Sequence, residues 1–434
     1  VADEFKQRRD RLMRLLGKGT AAVFVSGNET LRNGDVDHPF RQDSTFYYLT
    51  GFEEPSSVAV LRPGADKPYT LLVRPHDPLM AVWVGPRAGV DGAVERHGAD
   101  QAFPIEELES RLRELLDGAT TVWFSLGGLS RTESLLTSLV ASRRAMAQRG
   151  AIPIDAIRDP EPLVDEMRLI KSPSEIRSLQ RAIDITGRGL DAAMRATRPG
   201  MHEYEVQATL EEVYRREGAV RDGFPTIAAS GPNSCTLHYT TNRRQLQNGE
   251  LMLLDTGAEW GYYSADVTRT YPANGRFTPA QRAVYDVVLE AQRKGIERVK
   301  PGLSFHDAHI ASVRTLVEGL IDLKVLRGSV DSLIERDAYR HVYMHSTSHW
   351  LGLDVHDAGN YRTGSKSLPL RPGMVLTVEP GLYFAPGTKG VPKRLQGIGI
   401  RIEDDILVTK TGHRNLSGKI PSDPDTLEAL VGSR

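Results

Sequence analysis

Through the first third of the chain, short apolar runs of strand length alternate with Gly/Pro punctuation. Residues 21–25 (Ala-Ala-Val-Phe-Val), 45–49, 57–61, 69–73 and 121–124 are rich in β-branched and aromatic side chains and predict strands. Residues 105–116 are apolar at helical spacing and predict an amphipathic helix. Strands with an intervening helix give an α/β domain. At Leu169-Ile-Lys-Ser-Pro-Ser-Glu175 the pattern changes. Ser172 can cap, Pro173 suits a first helical position, and Glu175 stands where a capping box needs its acid, so a long helix is predicted from there. The domain boundary falls just before that cap, giving residues 1–170 and 171–434.

The second part repeats itself. Arg198-Pro-Gly-Met201 and Lys300-Pro-Gly-Leu303 each stand between two helical runs and predict helix-turn-helix joints. Gly249-Glu-Leu-Met-Leu-Leu-Asp255-Thr-Gly257 matches Gly373-Met-Val-Leu-Thr-Val-Glu379-Pro-Gly381. In both, Gly precedes an apolar strand, a carboxylate follows six residues on, and Gly lies two beyond. The pattern predicts two related halves whose central strands each deliver an acid to a shared interface.

Composition narrows the class. A chain of 434 residues suggests two or three domains, and two fit the pattern above. Lys and Arg total 55 against 56 Asp and Glu, a net charge of -1, which leaves no basic surplus for nucleic acid or an anionic membrane. Cys235 is the single cysteine, so disulfides and Cys-rich metal sites are excluded and a reducing compartment fits best. The first ten residues mix acids with bases and do not read as a signal peptide. The longest apolar runs fall far short of the roughly 18 residues a membrane span needs. A cytoplasmic location is expected.

Three segments carry candidate chemistry. Residues 251–270 predict a β-hairpin turning at Trp260-Gly261, which makes Asp255 and Asp266 cross-strand partners on one face. Like charges so placed destabilise a sheet, and a bound cation is the natural compensator; the plainer reading is two solvated aspartates. Four of the twelve histidines, His341, His345, His349 and His356, fall within sixteen residues, where an even spread would place fewer than one. Spacing leaves open which of them binds metal. In residues 397–408, alternation sets Arg401, Glu403 and Asp405 on one strand face. Alone that would be a salt bridge; beside Glu379 and the two aspartates it joins a site. Four carboxylates and imidazole with no thiolate suit Mn²⁺ and related divalent ions, and bridging carboxylates would complete a pair of ions.

These segments, with Thr377-Val-Glu379-Pro-Gly-Leu-Tyr383 and Gly399-Ile-Arg401-Ile-Glu403-Asp-Asp, resemble the pita-bread-fold metallopeptidases. Within that fold the likeness is to the bacterial Xaa-Pro aminopeptidase (aminopeptidase P) family, through His349-Trp-Leu-Gly-Leu-Asp and through residues 40–55, which resemble that family's amino-terminal domain. The resemblance implies a creatinase-like α/β amino-terminal domain concerned with oligomerisation and substrate access. It is followed by a pseudo-twofold α+β catalytic domain.

It also implies roles. Asp255, Asp266, His349, Glu379 and Glu403 would hold two divalent ions, with Mn²⁺ favoured over Co²⁺ or Zn²⁺. A hydroxide bridging them would attack the carbonyl before a penultimate proline, and Glu379 would move its proton. His356 would steady the oxyanion or the scissile nitrogen, His238 and His345 would line the proline side, Arg401 would pair with active-site groups, and Tyr383 and Trp83 would adjoin the substrate. Trp83 read plainly is a core or interface aromatic, and Cys235 a small buried side chain. A homodimer or homotetramer is implied. Prolidase, restricted to Xaa-Pro dipeptides, is the alternative; a catalytically inactive pita-bread peptide-binding module is a remote one, since all five ligands are present.

Overall fold

A computed structural model describes residues 2–433. The chain divides into two compact units, one ending at Met167 and the other beginning at Arg168.

The first unit is a six-stranded mixed sheet in the order Gln101–Pro104, Tyr69–Val73, Val58–Leu61, Thr20–Val25, Thr121–Trp123, Ala156–Arg158. Val23, Val60, Leu72 and Val122 from its strands pack with Leu108, Leu112, Leu136 and Leu139 from the helices Leu108–Leu115 and Arg131–Met146. One expectation fails here. Residues 45–49 belong to a helix, Ser44–Thr50, and not to a strand. The Asp43 carboxylate accepts from Phe46 N at 2.7 Å, and Gly51 closes the other end with φ 62°. The guanidinium groups of Arg8 and Arg9 donate to the carbonyls of Tyr48 and Leu49 at 3.2 and 2.8 Å. Capping and tertiary donors override the β propensity of Phe46, Tyr47 and Tyr48.

The second unit opens on the helix Pro173–Ala196, whose Ser172 and Glu175 form the expected capping box. Two halves follow the same plan. The first packs the helices Pro173–Ala196 and Glu203–Arg216 with a three-stranded antiparallel sheet, Ile227–Ser230, Leu251–Thr256, Val267–Pro272. The second has Pro279–Glu297 and Asp307–Asp322 with Val375–Val378, Asp404–Val408, His413–Asn415. The paired glycines Gly200 and Gly302, and Gly249 and Gly373, all adopt positive φ between 82° and 93°. The repeat is structural, with one difference. Leu251–Thr256 is central in its sheet, whereas Val375–Val378 lies at an edge of its own.

Two further expectations change in register. The hairpin turns at Gly261-Tyr262, both at positive φ (55° and 71°), as a two-residue primed turn requires. Asp255 therefore pairs with Thr268, and Asp266 is a diagonal neighbour instead of a direct partner. The displacement is an even number of residues, so both carboxylates keep the same face. Residues 397–408 form two strands, Ile398–Arg401 and Asp404–Val408, and not one. The first pairs with Gly381–Phe384 and the second with Val375–Val378. Between them Pro380, lacking an N–H, interrupts the ladder, and Glu379 and Glu403 both sit at that interruption.

Gly257 marks the closest approach of the Asp255 and Asp266 arms: a Cβ there would lie 1.7 Å from the carbonyl oxygen of Ala265. Gly257→Ala should cost about 1–3 kcal/mol or more, read by urea denaturation. An unchanged midpoint would show that the arms tolerate separation.

Candidate metal centre

Both halves turn their acids into one cavity of about 930 Å³. Asp255 leaves the end of a fully buried strand, Asp266 the loop before its partner, and Glu379 and Glu403 the ladder interruption. The loop after Tyr343 supplies His345 and His349. The backbone of His349 is held from both sides, its N–H by Thr377 Oγ1 at 3.1 Å and its carbonyl by Thr377 N at 3.0 Å. His238, Asp255, Asp266, His345, His349, His356, Glu379, Arg401 and Glu403 all line this cavity. Tyr383 does not reach it. That residue is buried, and its hydroxyl is held between Arg401 Nη1 at 3.0 Å and His345 Nε2 at 2.8 Å. Trp83 belongs to the first unit, on the helix Pro78–Val84, where it is 83% exposed.

Asp266, His349 and Glu403 are buried with ligand atoms all within 4.8 Å of one another. His349 Nδ1 faces the carbonyl oxygen of Trp350 at 3.0 Å and must donate to it. Its Nε2 faces Asp266 Oδ2 at 3.2 Å and Glu379 Oε1 at 3.7 Å, a convergence that calls for positive charge between them, as a ring proton or as a metal ion. Asp255 Oδ1 and Asp266 Oδ1 are buried with no hydrogen-bond partner. Unsatisfied buried acceptors of this kind are costly, and a divalent ion removes the cost. The donor set of carboxylates and one imidazole fits such an ion.

Electrostatics point the same way. Burial first, then the neighbouring carboxylates, push Asp266 and Glu403 well above the usual carboxylate range. Glu379 is pushed up to about 7, again mainly by burial. Arg401, whose Nη2 donates to Asp255 Oδ2 at 2.5 Å, opposes this at all three, and at Glu379 the neighbouring His349 opposes it first. His345 is lowered to about 3 by burial and by Arg401. Its Nδ1 donates to the carbonyl of Ser346 at 2.8 Å, so its Nε2 accepts from Tyr383. His356 is exposed at the cavity wall, its ring 4.2 Å from that of His349.

Several contributors were not anticipated. Thr268 Oγ1 donates to Glu403 Oε2 at 2.6 Å and accepts from Arg401 Nε at 3.2 Å. Arg269, fully buried, donates to the carbonyl of Glu403 at 2.7 Å and to Asp404 at 2.7 Å. Asp405 Oδ2 accepts from the backbone of Asp266 at 3.2 Å. The available signal was the run Val267-Thr-Arg-Thr270, polar on both strand faces, which a strand buried throughout tolerates only when its polar groups are partnered. His306 and His309 also line the cavity, from the start of the helix Asp307–Asp322.

Comparison with known proteins places this centre. Residues 177–410 match the model of metallopeptidase family M24, and residues 5–123 match the aminopeptidase P N-terminal domain. The chain belongs to metallopeptidase family M24, in its aminopeptidase P branch. It is 42% identical to the Xaa-Pro aminopeptidase of Escherichia coli strain K12, over 99% of this chain and 97% of that one. The Pseudomonas aeruginosa aminopeptidase PepP superposes with a TM-score of 0.97 at 41% identity, covering 99% of this chain and 98% of that one. A zinc-substituted Escherichia coli aminopeptidase P in complex with product gives 0.96 at 41%, with the same coverage. The α/β first unit and the pita-bread second unit are those of the M24 branch.

A consequence follows for the metal-stripped protein. A carboxyl raised in the folded state binds its proton more tightly there than in the unfolded chain, so stability is lost as pH rises. For Glu379 the window runs from its ordinary value near 4.5 to about 7. The melting temperature of chelator-treated protein should fall across that window, and added Mn²⁺ should raise it most at the upper end. A metal-induced shift that is the same at pH 5 and pH 7.5 would contradict this electrostatic origin.

Proposed function

We propose that the protein is a metal-dependent Xaa-Pro aminopeptidase, releasing the first residue of peptides whose second residue is proline. The observation that carries this reading is the buried Asp266, His349 and Glu403 group, opening into a cavity also lined by five further imidazoles. Membership of M24 and the name of the Escherichia coli relative, Xaa-Pro aminopeptidase, support the same substrate.

Asp255, Asp266, His349, Glu379 and Glu403 would hold two divalent ions, with Mn²⁺ the first choice for so oxygen-rich a set. When bound, such ions supply hydroxide near neutral pH and polarise the scissile carbonyl. The remaining work falls to the chain. Glu379, in the cavity wall beside His349, is placed to carry a proton from the attacking water to the departing proline nitrogen. His356, lowered below its ordinary value by its partial burial at the cavity wall and by His349 and His238, presents one N–H to the oxygen that gains charge. Arg401 fixes Asp255 and Tyr383, and Tyr383 in turn fixes the ring of His345. His238 and His345 wall the proline ring. The bond before proline is a tertiary amide without N–H, so a site that depends on ions and imidazoles, not on backbone pairing, suits it.

The division of labour is residues 1–170 for assembly and access and residues 171–434 for chemistry. On the helix Pro78–Val84, Leu79, Val82 and Trp83 are 79%, 82% and 83% exposed, an apolar face that a second copy of the chain would cover in a homodimer or homotetramer. Trp83, on that face, would adjoin the substrate of an assembled enzyme. No helix among the described residues is long and apolar enough to cross a membrane, and the single cysteine suits the reducing cytoplasm.

Hydrolysis of Xaa-Pro-Xaa tripeptides, lost on chelation and restored by Mn²⁺, is the expected result. Cleavage of Xaa-Pro dipeptides without tripeptides would make the protein a prolidase. Glu379→Ala should lower kcat/KM by about 10²-fold or more, the scale of removing a group aimed at the transition state; retention within about tenfold would remove Glu379 from its role. Light scattering should give at least twice the chain mass of 48.0 kDa, and Trp83→Glu should shift it toward the monomer.

A further inference from the structure

Glu203 lies at the start of the helix Glu203–Arg216 and is fully buried, yet no step above uses it. Its carboxylate accepts hydrogen bonds only from the segment 230–244, the irregular excursion between the strands Ile227–Ser230 and Leu251–Thr256. Oε1 takes the near end: Ser230 N and Ser230 Oγ at 2.8 Å each, and Asn233 Nδ2 at 3.0 Å. Oε2 takes the far end: the Tyr239 hydroxyl and Arg244 N, each at 2.8 Å. One side chain thus clasps both ends of the excursion. On its other side the segment is held against the strand of Arg401, where Gly399 N donates to Ser234 Oγ at 3.0 Å. A Cβ on Gly399 would lie only 2.2 Å from the carbonyl oxygen of Ser234.

Between these fixings, Leu237, His238 and Thr240 reach the cavity. His238 is exposed and immediately precedes one of the clasped residues, Tyr239. We propose that Glu203 is a positioning residue for His238, setting through the clasp where that imidazole enters the cavity. The proposal rests on the assignment of His238 to the proline side of the site. The chemistry selects a carboxylate. Every partner arrives as a donor, and an ionised carboxylate is acceptor-only with about four lone-pair sites. An amide of the same shape turns two donors toward donors at one end of the clasp.

A double-mutant cycle tests this. On an Xaa-Pro-Xaa substrate, Glu203→Gln should lower kcat/KM roughly tenfold in the wild-type background and by less than about twofold when His238 is already alanine. Tyr239→Phe, which removes only the hydroxyl at the far end of the clasp, should give a smaller loss that also vanishes in the His238→Ala background. It carries the test if Glu203→Gln does not fold. Losses that multiply in the His238→Ala background would overturn the proposal, because a general weakening of the fold does not depend on that ring. So would unchanged kcat/KM in both single variants. An unimpaired His238→Ala enzyme would remove the role of His238 itself and this inference with it, an outcome distinct from impaired but additive variants.

Discussion

Four carboxylates gathered in one buried place repel each other, and the second unit is organised around what offsets that repulsion. Asp255, Asp266, Glu379 and Glu403 come from both halves of the unit, so the charge cluster is also the junction of the fold. Arg401 is the guanidinium that reaches the cluster, and it is committed to Asp255. Unpartnered oxygens on Asp255 and Asp266, and carboxyls held well above their ordinary range, express the deficit. A divalent ion held beside His349 would supply the missing positive charge where the carboxylate oxygens converge. Metal dependence and fold are in this sense one property.

Bringing acids that close requires backbone that departs from regular ladders. The hairpin arms of Asp255 and Asp266 touch at Gly257, which has no side chain to separate them. Pro380 breaks the pairing that would otherwise run from Val375 to Phe384, and the two glutamates occupy the break. The polar groups exposed by these departures are taken up by Thr268, Arg269, Thr377 and Asp405, none of which contacts the cavity. Their positions are as tightly specified as those of the ligands, since a ligand rotated by a lost support changes both the charge cluster and the cavity wall.

The imidazoles show how one residue type is sorted by its surroundings. His349 spends Nδ1 on a carbonyl and turns Nε2 toward Asp266 and Glu379. His345 has both nitrogens engaged, by Ser346 and Tyr383, and so acts as a rigid wall. His356 and His238 are exposed in the cavity and remain available to a substrate. Clustering in the sequence marked the region. Only the hydrogen bonds separate these roles.

Much of the molecule was legible along the chain because its signals are local. The capping box at Ser172, the paired glycines of the two halves and the family motifs around Asp255, His349, Glu379 and Glu403 all act through a few neighbouring residues, so sequence determined the domain order, the repeat and the chemistry to expect. What it did not determine depends on distant partners. Residues 45–49 fold as a helix between the caps Asp43 and Gly51, with Arg8 and Arg9 supplying further donors that no local rule includes. The hairpin register is set by which two residues accept positive φ, and the division of 397–408 by a proline on the opposite strand. Thr268 and Arg269 serve the centre, and Glu203 the loop beside it, through contacts spanning from 27 to 135 residues of sequence. Tertiary structure decided these because the hydrogen bonds that fix them exist only once the two halves and their loops have come together.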